Sequence, residues 1–234
     1  MSLQAQTSPI VTDRPAITDA STPVPNGTLQ VENGLQLTAA GGRRVFDGPE
    51  SLAVFGLTDA TELRFTVPDY NFTSLASGFG DLALGVKQQI GHTPSGFDAS
   101  VIVSLSFPTG ANAESSHGYD PSLQVPWSQK LSENWTAAGM LSLYWPTQSG
   151  VRNLTGESTF LFDRQLTGPW DAFAEYAGDF PERAGPRHLL HFGTAYKLGL
   201  NQQLDLHVGL GLSRAAVDHF IGFGYSFRFQ ARKK

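Results

Sequence analysis

The sequence contains no cysteine, which excludes both a disulfide and thiolate chemistry. Charged residues make up only 16% of it, the formal net charge is −5 and the pI is about 5.6. This acidic balance argues against nucleic acid as a partner, because nucleic-acid-binding proteins carry a basic stripe. No stretch approaches the roughly 20 consecutive apolar residues of a membrane-spanning helix. No signal peptide is recognisable either, so if the protein is exported we expect this sequence to be its mature form.

The residue types that are abundant point to a β-rich protein. Glycine occurs 25 times and aromatic residues make up 11% of the chain, a composition unlike that of disordered segments or of helix-rich enzymes. Large β-barrels commonly have about the length of this chain, which is 234 residues. We therefore expect one all-β domain rather than two small domains.

The character of the sequence changes near residue 28. Residues 1–27 are polar, contain four prolines and show no periodicity, so we expect an arm without strands. Residues 28–229 alternate between apolar and polar side chains, and residues 230–234 form a short tail. The sequence thus predicts three parts: an N-terminal arm, a barrel and a tail.

Alternation with a period of two residues is typical of β-strands, because successive side chains of a strand point to opposite faces. The pattern predicts twelve strands, at Thr28–Thr38, Ser51–Leu57, Thr61–Val67, Asp81–Ile90, Asp98–Phe107, Ser122–Lys130, Asn134–Trp145, Asn153–Arg164, Trp170–Gly178, His188–Lys197, Gln203–Leu212 and Val217–Phe229. An even number of strands lets an antiparallel sheet close on itself with both termini at one end.

The connections between these strands alternate in length. Those after even-numbered strands are short, such as TDA and LSE, whereas most of the others are long and rich in Pro and Gly, such as AAGGRRVFDGPE and PTGANAESSHGYDP. Short turns at one end and long loops at the other are typical of outer-membrane barrels. We therefore expect a closed antiparallel transmembrane barrel in the bacterial outer membrane, with short periplasmic turns, long extracellular loops and periplasmic termini.

The two faces of the predicted strands agree with this fold. In the last strand, Ile221, Phe223 and Phe229 share one face, while Ser226 and Arg228 share the other. In a barrel the apolar faces contact lipid and the polar faces line the inside, and closure satisfies every backbone group where water is absent. Aromatic residues near strand ends fit girdles at the membrane surfaces: Trp127, Trp135, Trp145, Trp170, Tyr144, Tyr176 and Tyr196.

The inward-facing polar residues are the candidate functional residues. The predicted lumen-lining set is Glu32, Glu62, Arg64, Lys87, Glu157, Asp171, Glu175, His191, Lys197, Asp205, His207 and Arg228. Both signs of charge occur, which suits a network of paired charges across a narrow interior. Twelve strands lie between filled barrels of about eight strands and open porins of about sixteen. The N-terminal arm either hangs in the periplasm or fills the lumen as a plug. If it enters the lumen, Asp13, Arg14 and Asp19 can pair with these charges.

One group of lumen residues can be placed relative to each other. The ninth and tenth strands form a hairpin whose loop is centred near Arg183, which puts Glu175 opposite His191 with both pointing inward. The turn near Gly199 then brings His207 to within about one residue pair of His191 on the same face. The sequence therefore predicts an acid and two imidazoles side by side in the lumen.

Motifs for catalysis or metal binding have weaker support. The segment GFGDLA at Gly78–Ala83 matches the dinucleotide-binding pattern, but that chemistry needs a strand before it and a helix after it. His188 and His191 point to opposite faces of a strand and cannot share a metal. Twelve-stranded outer-membrane phospholipases keep a Ser/His/acid hydrolase as an alternative, yet no G-x-S-x-G elbow is present. We expect no enzyme activity, no catalytic residue, no metal and no cofactor.

Several segments together resemble a known family. These are TDRPAITDASTPVPNGTLQVENG, GLTDATELRF, GFGDLALGVKQQIG, SFPTG, SSHGYDPSLQVPWS, FAEYAGDFP and HFIGFGYSFRF. They are similar to the outer-membrane family named for the meta-cleavage pathway of phenol degradation, whose members are usually labelled transporters. The resemblance implies a barrel that passes or binds small organic molecules, often aromatic ones, and it brings no catalytic residues.

The leading functional hypothesis is an outer-membrane channel that gives a narrow path to small organic molecules, aromatic or hydrophobic ones included. The alternative is a non-conducting barrel with a structural or ligand-binding role; an outer-membrane lipid hydrolase is less favoured, and the loop asymmetry disfavours a soluble β protein. We expect a monomer. Its expected partners are outer-membrane lipid or detergent, small organic solutes and the barrel-assembly machinery, without nucleic acid.

Overall fold

The computed structural model describes residues 8–73 and 77–232, and within those residues the regular structure is entirely β. The strands are Thr28–Ala40 (β1), Arg43–Gly48 (β2), Ser51–Gly56 (β3), Thr61–Val67 (β4), Tyr70–Phe72 (β5), Ser77–Phe79 (β6), Leu82–His92 (β7), Phe97–Phe107 (β8), Asp120–Lys130 (β9), Trp135–Tyr144 (β10), Thr147–Gln148 (β11), Val151–Arg152 (β12), Thr155–Gln165 (β13), Trp170–Pro181 (β14), Arg187–Lys197 (β15), Gln202–Gly211 (β16) and His219–Gln230 (β17). No helix long and apolar enough to cross a membrane occurs in this part of the chain.

Twelve of these strands form a closed antiparallel barrel in the order β1, β3, β4, β7, β8, β9, β10, β13, β14, β15, β16 and β17. The last strand closes the barrel on the first, from Leu29 opposite Phe229 to Ala39 opposite His219. The all-β fold and the single twelve-stranded barrel are confirmed, and each predicted strand lies within three residues of its observed bounds. Period-2 alternation is thus sufficient to locate the barrel strands in this chain.

The long connections differ from the prediction, because some residues expected in loops form strands. Residues 43–48 fold as β2, which pairs with the outer half of β1 from Gln36 to Ala40. The reason is that β3 pairs with β1 only from Leu29 to Glu32, which leaves the rest of that edge without partners. β5 and β6 continue the sheet from β2, and β11 pairs with β12 in a separate hairpin. The barrel wall is therefore taller at its long-connection end.

The outside of the barrel is apolar and the inside is polar. On β16, Leu206 and Val208 are 49% and 39% exposed, whereas Asp205 and His207, which alternate with them, are 2% and 5% exposed. A soluble protein shows the reverse distribution of charged and apolar side chains. An outer surface of this kind is suited to hydrocarbon, and the buried polar side chains line the lumen.

The aromatic residues only partly follow the expected girdles. Trp135 and Trp170 are 42% and 43% exposed on the outer surface, and Trp170 packs against Tyr196 with ring centroids 4.7 Å apart. Tyr144 was expected in a girdle, but its hydroxyl donates to Glu157 in the lumen at 3.2 Å. The cause is strand parity: Tyr144 shares its face with the buried Ser142, so its side chain points inward.

Candidate functional site in the lumen

The predicted lumen-lining residues all lie on the inner face of the barrel. Buried members of the set are Glu32, Glu62, Arg64, Lys87, Glu175, His191, Asp205, His207 and Arg228; Glu157, Asp171 and Lys197 are half-buried. Charged side chains are almost never buried without partners. The partners of most of these residues come from the N-terminal arm.

The arm, residues 8–27, is enclosed by the barrel. Ile10, Thr18 and Ser21 are 1%, 5% and 6% exposed. Both ends of the arm lie at the short-turn rim: the Ser8 carbonyl accepts a hydrogen bond from Arg228, and the Gly27 N–H donates to Gly56 at 2.7 Å. The arm is therefore a loop that enters and leaves the lumen at one end of the barrel.

Carboxylates of the barrel wall bind the backbone of the arm. Glu32 accepts the N–H groups of Asp13 and Arg14, at 3.1 and 2.9 Å. Glu175 accepts those of Ile17 and Thr18, at 2.9 and 2.7 Å. A backbone N–H group without a partner is costly away from water, and charged acceptors form stronger hydrogen bonds than neutral ones. Glu32 and Glu175 thus supply hydrogen-bond acceptors to backbone N–H groups of the arm, which pairs with no strand in the described structure.

A second set of contacts joins charges of the arm to charges of β4 and β7. The Arg64 guanidinium lies 2.7 Å from Asp13, 2.8 Å from Glu62 and 3.5 Å from Asp19. The Lys87 ammonium lies 3.2 Å from both Asp13 and Glu62. Because these groups are buried, loss of one partner leaves an uncompensated charge in the lumen. The cluster therefore fixes the arm against one side of the barrel.

Arg14 extends furthest along the lumen. Its guanidinium pairs with Glu50, in the connection between β2 and β3, and lies 3.4 Å from Asp205. It passes over Gly34 and Gly224, which are directly paired across β1 and β17. A Cβ atom at either glycine would overlap the Arg14 side chain. These two glycines thus form a groove, which we call the Arg14 groove, that leaves room for the guanidinium.

The acid and the two imidazoles lie next to this groove. The register pairs Glu175 with His191, as the sequence predicts, and His207 is paired with Gly193, one inward position along β15. His191 Nδ1 lies 2.8 Å from Glu175, and its Nε2 lies 3.0 Å from Nδ1 of His207. His207 Nε2 lies 3.3 Å from the Arg14 guanidinium.

The Arg14 contact determines the tautomers of this chain of hydrogen bonds. A guanidinium only donates, so Nε2 of His207 accepts and its Nδ1 carries the proton. His191 then accepts at Nε2 and donates from Nδ1 to Glu175. In this arrangement each imidazole donates one hydrogen bond and accepts one. Sequence reasoning located these residues but did not anticipate that the arm orders their donor and acceptor roles.

Glu50, the carboxylate that pairs with Arg14, lies in an acidic region at the long-connection end of the barrel. Burial raises the pKa of Asp69, which lies between β4 and β5, to about 6, and the neighbouring Glu50 carboxylate also raises it. The positive Arg14 side chain opposes this rise. The arm therefore supplies a positive charge where several carboxylates of the outer connections come together.

The Arg14 groove gives a first testable prediction. Gly34→Ala should displace the guanidinium from Glu50 and Asp205 and loosen the arm, because the added methyl group occupies its place. The chain has no cysteine, so a single Thr18→Cys change supplies a buried reporter, and we expect its maleimide labelling to become several-fold faster.

Gly156→Ala is the matched control for that substitution, since a Cβ at Gly156 meets no atom within 4 Å. It should leave the labelling rate unchanged. Adding Gly34→Ala to an Arg14→Ala background should have no further effect. An unchanged rate in Gly34→Ala alone would show that the groove does not hold the arm.

A chamber remains on the other side of the arm. Its volume is about 400 Å³, and it lies between the arm and the short-turn ends of β9, β10 and β13–β16. Asp163 and Phe173 line it, and neither was singled out from the sequence. Asp163 could have been found, because it lies six residues after Glu157 and therefore on the same face of β13.

The described lumen offers polar and charged groups but no metal site. Within residues 8–73 and 77–232, no group of three or more His, Asp or Glu side chains is placed to hold a metal ion. The histidines contact an acid and the arm, and no serine or threonine of the described chain hydrogen-bonds to His191 or His207. The inward-facing carboxylates, guanidinium groups and imidazoles of this arrangement can bind polar groups in the lumen.

Comparisons with known proteins agree with the fold. No curated protein sequence matches the chain. Among solved structures, the COG4313 outer membrane channel from Pseudomonas putida F1 is 14% identical, with 92% of this chain and 100% of that chain covered and a TM-score of 0.69. The NanC porin is 10% identical (85% and 98% covered, TM-score 0.61), and so is the KdgM porin (86% and 99% covered, TM-score 0.60). At these identities the likeness shows a shared barrel fold.

A family model identifies the chain more specifically than those structures do. Residues 12–229 match the model of the family described as "Putative MetA-pathway of phenol degradation". The match extends from Thr12 in the arm to Phe229 in β17, so it includes the contacts that Asp13, Arg14 and Asp19 make in the lumen. The chain belongs to this family.

Proposed function

We propose that this chain is a monomeric outer-membrane channel that gives small organic molecules, aromatic or hydrophobic ones included, a narrow path through its lumen. The observation that carries the proposal is the combination of an apolar outer surface with a polar lumen that the arm only partly fills. Solved barrels of similar fold whose names describe channels and porins support the same role. We propose transport rather than an enzymatic role, because the buried acid and imidazoles are engaged with one another and with the arm.

The side of the lumen against which the arm lies explains why the path is narrow. The ion pairs with Arg64 and Lys87 place the arm beside β4 and β7, and Arg14 continues along β1 and β17. The chamber lies across the lumen, against β9, β10 and β13–β16. A solute therefore passes between the arm and this wall, where the free width is a fraction of the barrel diameter.

The orientation follows from the position of the arm and the lengths of the connections. Both ends of the arm lie at the short-turn rim, and outer-membrane barrels place short turns in the periplasm. The taller wall formed by β2, β5 and β6 then lies on the extracellular side. In this orientation, the chamber opens toward the periplasm and the Arg14–Glu50 contact lies nearer the outside.

A liposome-swelling assay tests the function. Vesicles containing the intact protein should swell in small neutral solutes such as glycerol, and the rate should fall steeply from glycerol to monosaccharides and to disaccharides. The reason is that the arm sets the width of the path. Swelling no faster than in protein-free vesicles would instead support a non-conducting barrel with a structural or ligand-binding role. In such a barrel the firmly held arm would close the lumen.

A further inference from the structure

The chamber between the arm and the wall is shaped as a binding site. Its volume of about 400 Å³ falls within the ordinary range of small-molecule sites. Its wall combines an apolar surface, from Ala138, Leu161 and Phe173, with charged groups from Asp163, Asp171 and Lys197. This mixture of a large apolar area with a few polar groups is typical of sites that orient a small ligand.

The charges in the chamber do not balance. Lys197 is paired with Asp171 across β14 and β15. The arm residues that reach the chamber are also engaged, since Asp13 and Asp19 pair with Arg64 and Arg14 pairs with Glu50. Asp163 differs from these groups.

The Asp163 carboxylate makes no hydrogen bond or ion pair to any residue in the described part of the chain; its charged neighbours are Asp171 and Lys197. It is half-buried and faces the chamber. Partial burial and the neighbouring Asp171 carboxylate both disfavour the charge on Asp163, and a cation bound beside it would offset them. With both carboxylates ionised, Asp163, Asp171 and Lys197 together leave the chamber wall with one net negative charge.

An aromatic ring lies directly beside that carboxylate. Asp163 and Phe173 are opposite each other in the pairing of β13 and β14, with both side chains inside the barrel. The Phe173 ring lies edge-on to the His191 ring, with their centroids 5.1 Å apart, and a Cβ atom at Gly193 would overlap the Phe173 ring. A ring that is fixed in this way provides a flat surface for an apolar group and a face for a cation.

From this juxtaposition we infer that the chamber binds a small organic cation, a protonated primary amine with a compact apolar or aromatic body. The ammonium group lies at Asp163 and along the Phe173 ring, and the body packs against Leu161 and Ala138. This inference rests on the proposed channel function in one respect: it assumes that the bound amine is a solute that passes through the channel. Binding itself does not require that the barrel conducts.

Equilibrium dialysis of the full chain in a non-ionic detergent tests the inference with three matched probes. These are 2-phenylethylamine, the neutral 2-phenylethanol and the anionic 3-phenylpropanoate. We expect saturable binding of the amine that is at least about tenfold tighter than that of the alcohol, because hydrogen bonds to charged groups contribute more than neutral ones. The anion should bind most weakly.

Two variants locate the site, and one serves as a control. Asp163→Asn keeps the shape of the side chain and should weaken amine binding about tenfold or more. Ala138→Phe fills the chamber from β10 and should abolish it. Glu157→Gln alters another inward carboxylate of β13, outside the chamber, and should leave binding unchanged. Heat-modifiable migration on gels shows that each variant is folded.

Equal amine binding by Asp163→Asn and the parent protein, or equal binding of the alcohol and the amine, would overturn the inference. The proposed function fails separately. If the protein binds the amine through Asp163 but does not conduct, the binding site is supported and the channel function is wrong. If the protein conducts but does not bind the amine through Asp163, the channel function is supported and the binding site is wrong.

Discussion

Leu206→Arg should lower the free energy of unfolding by about 2–4 kcal/mol, because it places a charge in the middle of the lipid-facing surface. Leu206 lies at the centre of β16, is 49% exposed on the outside and is opposite Phe223 of β17. In hydrocarbon a guanidinium loses its hydration and finds no partner on this face. Reversible urea unfolding in detergent or lipid, followed by gel migration, measures the loss.

The same substitution at Leu212 is the matched control. Leu212 follows the last residue of β16 and is 55% exposed, but it lies at the long-connection end of the strand. Near the interface the cost of arginine falls to about 0–1 kcal/mol. Equal losses at both positions, or a parent protein that is folded and monodisperse without detergent, would contradict the assignment of the outer surface to lipid.

Deleting residues 1–25 should raise the single-channel conductance several-fold while the barrel stays folded. The deletion removes every arm contact to Arg64, Lys87 and Glu175, and water replaces them. Barrel closure does not depend on the arm, because the strands satisfy one another's backbone groups from β1 through β17. Recordings in planar bilayers measure the change.

Deleting residues 1–7 alone is the control for that experiment. It leaves residues 8–25 present, including Arg14 and the partners of the wall carboxylates. Its conductance should remain at the level of the intact protein. An unchanged conductance in the longer deletion would mean that the arm does not define the path.

Much of the barrel is predictable from the sequence because its determinants are local. Alternation with period 2 locates the strands, and hairpin geometry then sets the register, as the Glu175–His191 pair shows. The strands β2 and β5 were missed because they are short and their pairing depends on how far β3 extends along β1. That extent is a tertiary property and leaves no signal in the segment itself.

The contacts of the arm are the part of the site that the sequence does not specify. The charges of Asp13, Arg14 and Asp19 suggest partners in the lumen, but several wall charges of opposite sign were equally available. Gly34 and Gly224 look like ordinary glycines in alternating strands, and only their pairing in space reveals the Arg14 groove. Three-dimensional placement of an irregular segment is therefore what the structure adds.

The position of the arm is tested most directly by a disulfide in this cysteine-free chain. Ser21 of the arm and Ser128 of β9 have hydroxyl oxygens 2.8 Å apart, so small side-chain rotations bring cysteine sulfurs at these positions to the S–S bond length of about 2.05 Å. The Ser21→Cys/Ser128→Cys protein should form the cross-link on mild oxidation in the membrane, whereas Ser21→Cys/Ser122→Cys, about 20 Å further along β9, should not. Failure of the first pair to cross-link, with Ser21→Cys labelled rapidly by a water-soluble maleimide, would place the arm outside the lumen and contradict its role in the path.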